Sequence, residues 1–312
     1  MISHMTELNK NYSTTRCVQK MDADLVIAEI KAAHKPEDKF ETVLFLPEGE
    51  GRKDEGGLRT QGCFKKSEED KPLITVVTVV YNGEEFLEET IISVINQTYD
   101  NVEYIIIDGG STDGTLDIIR KYEHVIDYWV SENDCGISDA FNKGVILAQG
   151  NGIAMLNADD YYANNDSIFN FAKEISLIDN ENYFIYGNTL RLSQKKLSVK
   201  KDRRFSWCLS VPFSHCSSIV SKRAYKQVGS YSIKYKIAMD IDLLFRVKEV
   251  SVGKSIDKVI AVQRDGGISD TLRLTGYKEY FSISRKSCGF FTAGFFYILK
   301  VMIVLKNKVK HA

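Results

Sequence analysis

The chain has 312 residues and a formal net charge of −1, with 41 lysines and arginines against 42 aspartates and glutamates. This length allows one large domain or two small ones, and the hydrophobic fraction of 44% is ordinary for a globular protein. The balanced charge excludes a strongly basic nucleic-acid binder, so no nucleic-acid partner is expected. The sequence contains no apolar stretch of 18 residues that predicts a transmembrane helix, and we expect no signal peptide.

The six cysteines lie at wide and irregular spacings, and no two of them form a C-x-x-C pair. This pattern excludes the usual zinc-binding spacings and a compact disulfide framework. We therefore expect free thiols, as in proteins of a reducing compartment.

Residues 1–72 are predicted to form an N-terminal extension and linker. A short helix is predicted over residues 21–34, with Asp22 as its N-cap, and a short strand over residues 41–46. The glycine- and charge-rich stretch 47–72 is typical of a loop or linker. We therefore predict the main domain boundary there.

After residue 72 the chain alternates between two kinds of segment. Apolar, β-branched runs predict buried strands, and amphipathic stretches between them predict helices. The predicted strands are residues 73–80, 102–107, 126–130 and 153–156, and the predicted helices are residues 84–97, 115–122 and 137–148. This alternation predicts βαβ units and an α/β fold with a mainly parallel sheet. Ligands bind such sheets at the carboxyl ends of the strands.

Polar loops follow three of the predicted strands. The first strand is followed by Tyr81 to Glu84, the second by a DGGSTDGT loop that begins at Asp108, and the fourth by the NADD loop of residues 157–160. The DGGSTDGT loop matches neither the dinucleotide fingerprint nor the Walker motif. Asp108 can accept a hydrogen bond from a ribose hydroxyl or a base N–H, whereas Asp113 is expected to cap the next helix.

The NADD loop places two adjacent carboxylates directly after a buried strand. Burial of such groups is unfavourable unless they are paired, solvated or bound to a metal. Mg²⁺ and Mn²⁺ prefer these oxygen ligands together with substrate phosphates. The alternative is a turn in which an aspartate caps the next helix.

A further group of candidates lies in the second half of the chain. Asp240 and Asp242 fall in the first turn of a predicted helix that begins at Met239, where the helix dipole favours negative charge. The dipole alone accounts for either residue, and the alternative is that one of them is a general base for a hydroxyl nucleophile. His215 is a candidate for phosphate binding, for acceptor contact or for a core position.

The C-terminal tail, residues 271–312, carries eight basic residues and one acid, Glu279. Its apolar and aromatic run followed by lysines is typical of an interfacial helix, whose positive charges are attracted to anionic lipids. The alternative is a helix that packs on the body of the protein or in an oligomer interface.

The motifs together resemble a known family. VVTVVYNGEEF, IIIDGGSTDGT, FNKG and LNADD closely resemble family-2 glycosyltransferases of the GT-A fold, most of all bacterial members that build O-antigen and other surface polysaccharides. The resemblance is dense from residue 73 to 161 and looser to about residue 270. It implies a GT-A, Rossmann-like sheet flanked by helices, with a nucleotide-binding half, 73–160, and an acceptor half, 161–270.

The resemblance also implies an activity and a set of site residues. The activity is an inverting transfer from a UDP-sugar to an acceptor hydroxyl, assisted by Mn²⁺ or Mg²⁺. By position in the motifs, the implied residues are Tyr81, Glu84 and Asp108 at the uridine, Lys143 at the diphosphate, Asn157 and Asp159 in the D-x-D motif, Asp160 beside them at the metal, and Asp240 as the catalytic base. Two positions depart from the family pattern, namely Asn157 for the first aspartate and Met239 for the glutamate before the base.

The implied acceptor is a lipid-linked saccharide at the cytoplasmic face of the plasma membrane, and the basic tail agrees with peripheral membrane contact. A second hypothesis is a catalytically silent module that binds a nucleotide sugar or a glycan, and Met239 is its best support. A third hypothesis, a nucleotide-binding oxidoreductase, is disfavoured by the missing G-x-G-x-x-G motif.

Overall fold

The computed structural model describes residues 10–49, 51–193, 196–200, 207 and 211–310. The strands are β1 Gln19–Lys20, β2 Asp54–Gly56, β3 Cys63–Phe64, β4 Ile74–Val80, β5 Val102–Asp108, β6 Tyr128–Ser131, β7 Gly152–Met155, β8 Tyr161–Tyr162, β9 Tyr183–Ser193, β10 Lys196–Lys200, β11 Ser218–Ser221 and β12 Val252–Arg264. The helices are α1 Ala23–Ala32, α2 Leu87–Ile95, α3 Thr115–Lys121, α4 Ile137–Leu147, α5 Ser167–Ile175, α6 Lys222–Val228, α7 Met239–Val250, α8 Ile268–Thr271, α9 Arg273–Cys288 and α10 Phe290–Lys310.

One large sheet organises the molecule. Its strand order is β2-β6-β5-β4-β7-β11-β9-β12-β8, and β10 pairs with β9. The central strands β6, β5, β4 and β7 are parallel to one another, which confirms the predicted α/β fold. β11 joins antiparallel to both β7 and β9, so the second half of the sheet is mixed.

Helices cover both faces of the central strands, which explains why β4 and β5 are apolar along their whole length. Val77 and Val79 point into one core, together with residues of α4, α6, α7 and α9. Val76 and Val80 point into the other core, together with residues of α2, α3 and α5. This division follows from the alternation of side chains along a strand.

Most of the predicted elements are confirmed. The four predicted strands and three predicted helices after residue 72 correspond to β4 to β7 and α2 to α4, and Asp22 caps α1 by accepting a 2.9 Å hydrogen bond from the Asp24 N–H. The prediction of a strand at residues 41–46 is wrong. Val43 donates its N–H to the Ile146 carbonyl at 2.8 Å, so this segment lies against the end of α4 without forming a strand.

The stretch 47–72, predicted as a loop or linker, is built into the main sheet. β2 pairs antiparallel with β6. Two buried ion pairs hold the rest of the stretch, since Arg59 lies 2.7 Å from Glu103 and Lys65 lies 2.6 Å from Asp127. The composition predicted a loop or linker, whereas Arg59 and Lys65 of this stretch are paired inside the protein.

The C-terminal segment forms the two helices α9 and α10. Tyr280 and Ile283 of α9 are buried in the core beside α7, and α10 packs along α9. Among the described residues, the structure contains no helix long and apolar enough to span a membrane. Cys17, Cys63 and Cys135 carry free thiols, but the expectation is wrong for Cys288, which is in a disulfide.

Candidate functional site

The predicted ligand-binding edge of the sheet brings three loops together. β4 pairs with β5 up to Val80 opposite Asp108, and with β7 up to Val77 opposite Met155. The loops that follow these parallel strands therefore leave the sheet side by side. The predicted residues on these strand ends and loops are Tyr81, Glu84, Asp108, Asn157, Asp159 and Asp160.

The loops after β4 and β5 are fastened to each other. Asn82, whose φ of 50° lies in the left-handed region, donates its N–H to Ser111 Oγ at 2.7 Å. Glu84 Oε2 accepts a 2.6 Å hydrogen bond from the Gly114 N–H, and the Glu84 N–H donates to Asp113 Oδ2 at 3.2 Å. The Glu84 carboxylate thus satisfies a backbone donor at the start of α3, and its contact with uridine stays a prediction.

Asp108 is fully buried, and its carboxylate is bound within the protein. It accepts hydrogen bonds from the Ser111 N–H at 3.0 Å and from the Ser131 hydroxyl at 2.6 Å. The exposed group nearby is Tyr81, which is 66% exposed. Its Cδ2 lies 3.5 Å from the position that a Cβ on Gly109 would take. Gly109 is itself buried, and the Asp134 carboxylate lies closer to it than Tyr81 does. The exposed Tyr81 ring is a surface on which a nucleotide base can stack.

Lys143 of α4 is bound by Glu132, which follows β6. Its Nζ lies 2.8 Å from Glu132 Oε1 and donates to the Asn133 carbonyl at 3.0 Å. Arg52 binds Oε2 of the same carboxylate through Nε at 2.9 Å and Nη2 at 2.7 Å. Burial raises the pKa of Glu132, but Lys143 and Arg52 outweigh burial and hold that pKa below its usual range. The contact of Lys143 with a diphosphate stays a prediction.

The N-terminal stretch also contacts the loop after β5. Lys53 Nζ donates to the carbonyls of Gly110 and Ser111 at 2.9 and 2.8 Å. Lys53, Arg52 and Glu132 shape the candidate site but were not predicted from the sequence. No spacing rule could find them, because the two basic residues lie in a charge-rich stretch that is typical of solvated loops.

The NADD loop buries carboxylate and amide oxygens next to one another. Asp160 is 1% exposed, and its Oδ1 accepts a 3.2 Å hydrogen bond from the Arg264 N–H. Among the described residues, Oδ1 of Asn157 is buried and has no hydrogen-bond partner, whereas the Asp160 carboxylate also contacts the Cys216 thiol. Burial and, next, the charge of Asp159 raise the pKa of Asp160 to about 8. Burial also raises the pKa of Asp159.

This loop fits a divalent cation. Mn²⁺ and Mg²⁺ bind carboxylate and amide oxygens, and Mg²⁺ in particular usually completes its coordination with waters and substrate phosphates. Within the described part of the chain, no group of three or more His, Cys, Asp or Glu side chains could hold a metal ion. The donors of Asn157, Asp159 and Asp160 alone would leave a cation short of ligands, so cation binding at this loop stays a prediction that needs further ligands such as water or phosphate oxygens.

Arg264, at the end of β12, holds the NADD loop in place. Its guanidinium donates to the Asp159 carbonyl at 2.6 Å, pairs with Glu89, and lies 4.6 Å from the ring centre of Phe86 and 4.7 Å from that of Tyr161. Such stacking between two rings fixes the planar group. Arg264 was not predicted from the sequence, because the chain between the loop and Arg264 gives no signal that they meet.

Asp240 lies in the first turn of α7, where its Oδ1 accepts a 2.8 Å hydrogen bond from the Ile241 N–H. Its charge acts on His215, whose pKa is lowered by burial and raised in part by Asp240. His215 Nε2 lies 2.8 Å from Tyr231 Oη, and the ring packs edge-on against Phe141. Of the alternatives for His215, the structure favours a hydrogen-bonded histidine packed in the core beside Asp240.

Asp242, the second candidate on α7, is engaged elsewhere. Its Oδ2 accepts a 3.0 Å hydrogen bond from Arg246 Nε, one helical turn further along. Met239 is 6% exposed and belongs to the core. Of the acidic residues in this first turn, Asp240 is therefore the better candidate for a catalytic base.

Glu279 of α9 binds the backbone just before α7. Its carboxylate accepts hydrogen bonds from the N–H groups of Lys236, Ile237 and Ala238 at 3.0, 2.9 and 2.9 Å. Glu279 is the one acid of the basic tail, and its contact with the Asp240 segment was not predicted from the sequence.

Comparisons with known sequences identify relatives of this chain. The sequence model described as "Glycosyl transferase family 2" matches residues 75–238. An uncharacterized glycosyltransferase of Rickettsia typhi is 31% identical over 192 residues, which cover 58% of this chain and 60% of that protein. The putative teichuronic acid biosynthesis glycosyltransferase TuaG of Bacillus subtilis is 41% identical over 93 residues, 29% of this chain and 37% of that protein. The match thus spans less than two thirds of either relative.

Solved structures share the fold. S. aureus TarS in complex with UDP-GlcNAc superposes with a TM-score of 0.56 at 17% identity, covering 68% of this chain and 65% of that one. The mannosyltransferase PcManGT from Pyrobaculum calidifontis, in complex with GDP-Man and Mn²⁺, superposes with a TM-score of 0.55 at 18% identity, covering 68% and 64%. At these identities the likeness establishes the fold alone, and that fold is GT-A.

Proposed function

Because the chain belongs to glycosyl transferase family 2, we propose that it transfers a sugar from a nucleotide sugar to an acceptor hydroxyl with inversion at the anomeric carbon. The observation that carries this proposal is the group of buried oxygens of Asn157 and Asp160 beside Asp159, of which Asn157 Oδ1 has no hydrogen-bond partner in the described part of the chain. These donors suit a cation that holds a diphosphate leaving group. They lie on the sheet edge that also carries the exposed Tyr81 ring.

The chemistry needs one base and one stabilised leaving group. Asp240 takes the proton from the acceptor hydroxyl as that oxygen attacks the anomeric carbon, and the bond to the nucleotide diphosphate breaks on the opposite face. Asn157, Asp159 and Asp160 would hold a divalent cation, which neutralises charge on the leaving diphosphate when bound. Lys143 of α4 would leave its ion pair with Glu132 and bind the diphosphate, and its positive charge would then stabilise the leaving group.

We propose a UDP-sugar as the donor. Tyr81 offers its ring face to the base, and Asp108, through Ser111 and Ser131, keeps the adjacent loop in shape. TarS, a structural neighbour, was solved with UDP-GlcNAc. Because another neighbour was solved with GDP-Man and Mn²⁺, the test must include both nucleotides.

We propose a lipid-linked saccharide as the acceptor, in the synthesis of a bacterial surface polysaccharide, at the cytoplasmic face of the membrane. TuaG, a relative, is named for the biosynthesis of teichuronic acid. α10 presents exposed apolar residues at helical spacing, namely Phe291, Phe295, Ile298 and Met302. Arg285 and Lys286 are exposed at the end of α9. An apolar stripe beside basic residues suits an anionic lipid surface.

The test is nucleotide release from a panel of UDP- and GDP-sugars, with Mn²⁺ or with EDTA. We expect slow, Mn²⁺-dependent hydrolysis of one UDP-sugar by the wild type. Asp240→Asn should lower this rate by about 100-fold or more, the contribution of a general base, and leave UDP affinity unchanged. Asp159→Ala should abolish Mn²⁺-dependent UDP binding. Asp117→Asn, a change to an exposed carboxylate on α3, is the control and should alter neither property.

The outcomes separate the hypotheses. Wild-type rate in Asp240→Asn would show that Asp240 is not the base. Mn²⁺-dependent UDP binding without turnover, even with polyprenyl-linked saccharides as acceptors, would favour the silent binding module. If UDP binding is weak and GDP binding is tight, the donor assignment is wrong while the transferase proposal stands.

A further inference from the structure

The segment that leads into α7 is held from outside by a residue of the C-terminal helices. The N–H groups of Lys236, Ile237 and Ala238 all point to the Glu279 carboxylate, with donor–acceptor distances of 3.0, 2.9 and 2.9 Å. Asp240 follows two residues later. We propose that Glu279 is a positioning residue that sets the place of the Asp240 carboxylate. This inference rests on the proposed role of Asp240 as base.

The start of α7 needs such a partner. Of the three N–H groups that Glu279 accepts, one belongs to Ala238, the N-cap residue of α7, and the other two belong to Lys236 and Ile237, just before the helix. The Ala238 side chain cannot accept a hydrogen bond, so the N-terminus of α7 lacks the usual side-chain cap. Glu279 supplies the acceptor from a different helix, and its negative charge is favourable at the positive end of the α7 dipole. Without this carboxylate, three neighbouring N–H groups would lose their acceptor together.

The packing of α9 brings Glu279 to this place. Gly276 lies one turn earlier on α9, and a Cβ there would come within 3.1 Å of Ile237 Cγ2. The absence of a side chain at Gly276 therefore lets α9 lie close to the segment before α7. Residues three apart share a helix face, so Gly276 and Glu279 face the same segment.

α9 is itself anchored to the core. Tyr280, next to Glu279, is 6% exposed, packs edge-on against Phe245 of α7, and hydrogen-bonds the Trp207 carbonyl. Ile283, one turn further on, is also buried. The Glu279 backbone is therefore fixed relative to α7. Through its hydrogen bonds, the Glu279 carboxylate holds the segment before Asp240 in a fixed place.

The expected consequence is a loss of turnover without a loss of donor binding. Small displacements of a catalytic group from its reactive position lower rates strongly. Glu279→Ala should lower kcat for nucleotide-sugar hydrolysis by about 10- to 100-fold and leave KM and the affinity for UDP with Mn²⁺ unchanged. Glu279→Asp, which keeps the carboxylate, should recover part of the rate. Lys278→Ala, a change to the exposed neighbour on α9, is the matched control.

A second measurement is independent of activity. Hydrogen–deuterium exchange at residues 236–238 should accelerate in Glu279→Ala and, to a smaller extent, in Glu279→Gln, and should stay slow in Lys278→Ala. Peptides from β4 and β5 should exchange as in the wild type, which shows that the fold is intact. Should Glu279→Ala fail to fold, the same comparison is made with Glu279→Gln.

The two proposals fail in different ways. If Asp240→Asn keeps the wild-type rate, the base assignment is wrong whatever Glu279 does. If Asp240→Asn is inactive but Glu279→Ala keeps the wild-type kcat, the positioning role is overturned. Unchanged exchange at residues 236–238 in Glu279→Ala would also overturn it. An equal fall in donor affinity and kcat would show a general structural role instead.

Discussion

Met239 occupies the position at which the family resemblance implies a glutamate, and its side chain is buried in the core. A carboxylate in the same orientation would be a buried charge without a partner, which is strongly unfavourable. Asp242 is bound by Arg246, so it does not replace the missing acid. Asp240 is therefore the candidate acid that remains in this turn, and His215 and Tyr231, which are hydrogen bonded to each other at 2.8 Å, lie near it.

A titratable residue far from the site gives a prediction for stability. Asp38 accepts hydrogen bonds from Lys226 at 3.0 Å, from the Lys35 N–H at 3.1 Å, and from Arg223. Burial alone raises the pKa of Asp38, but these donors outweigh burial and lower that pKa to about 2. Because the unfolded value, 3.8, is higher, the stabilisation is complete above about pH 4 and is lost as the pH falls through 2.

Asp38→Asn should therefore lower the free energy of unfolding by about 2 kcal/mol at pH 7, and by less at pH 3. Urea unfolding of wild type and variant at the two pH values measures this difference. Asp117→Asn, at an exposed carboxylate, should show little difference at either pH. If the difference in the free energy of unfolding between the wild type and Asp38→Asn is the same at pH 7 and pH 3, the assigned pKa is wrong.

At the scale of elements, a buried ion pair joins the N-terminal stretch to β5. Arg59 binds Glu103 at 2.7 Å and donates to the carbonyls of Leu44 and Leu147. Removal of one partner leaves a buried charge uncompensated, at a cost of about 3–5 kcal/mol. Arg59→Met should destabilise the protein by about that amount in urea unfolding.

The control uses an exposed arginine. Arg120 pairs with Asp54 on the surface, with side chains 47% and 37% exposed, and exposed pairs contribute about 0–1 kcal/mol. Arg120→Met should therefore have a small effect. If Arg59→Met and Arg120→Met lower the free energy of unfolding by the same small amount, the buried pair does not hold the N-terminal stretch to the sheet.

Local sequence patterns predicted the parallel half of the sheet well, because β4 and β5 are continuous apolar runs and the helices between strands have regular apolar spacing. They failed for residues 41–46, which resemble a strand in composition but pair with no strand among the residues that the structure describes. They also gave no place for β9 and β12, whose parallel pairing joins residues about 70 positions apart. That pairing depends on tertiary contacts and not on local preference.

Some residues of the candidate site could be placed from the sequence and others could not. The placement of the residues at strand ends was predictable, because parallel strands bring their carboxyl ends to one edge. The residues that hold them were not. Arg52, Arg264 and Glu279 come from distant parts of the chain, and an isolated arginine or glutamate in a charged stretch carries no signal of its partner.

At the scale of the whole molecule, the charge is strongly uneven. Residues 73–270 carry 21 basic and 27 acidic residues, whereas residues 271–312 carry eight and one. An anionic surface therefore attracts the tail and repels the body, and so favours one orientation of the protein. α10 is bound to α9 on its inner face, where Ala293 is buried and Lys300 lies 3.9 Å from the ring centre of Tyr280. Its outer face exposes Phe291 and Phe295.

This arrangement predicts binding to anionic vesicles through the outer face of α10. The full chain should sediment with vesicles of phosphatidylcholine and phosphatidylglycerol, and less with phosphatidylcholine alone or at high salt, because screening weakens the attraction. Phe291 and Phe295 are 89% and 64% exposed, and burial of each ring contributes about 1.5–3 kcal/mol. The double change Phe291→Ser and Phe295→Ser should therefore lower binding more than about tenfold. Phe169→Ser, on α5 and 49% exposed, should bind as wild type. Equal binding by the double variant and the wild type would exclude this face as the membrane contact.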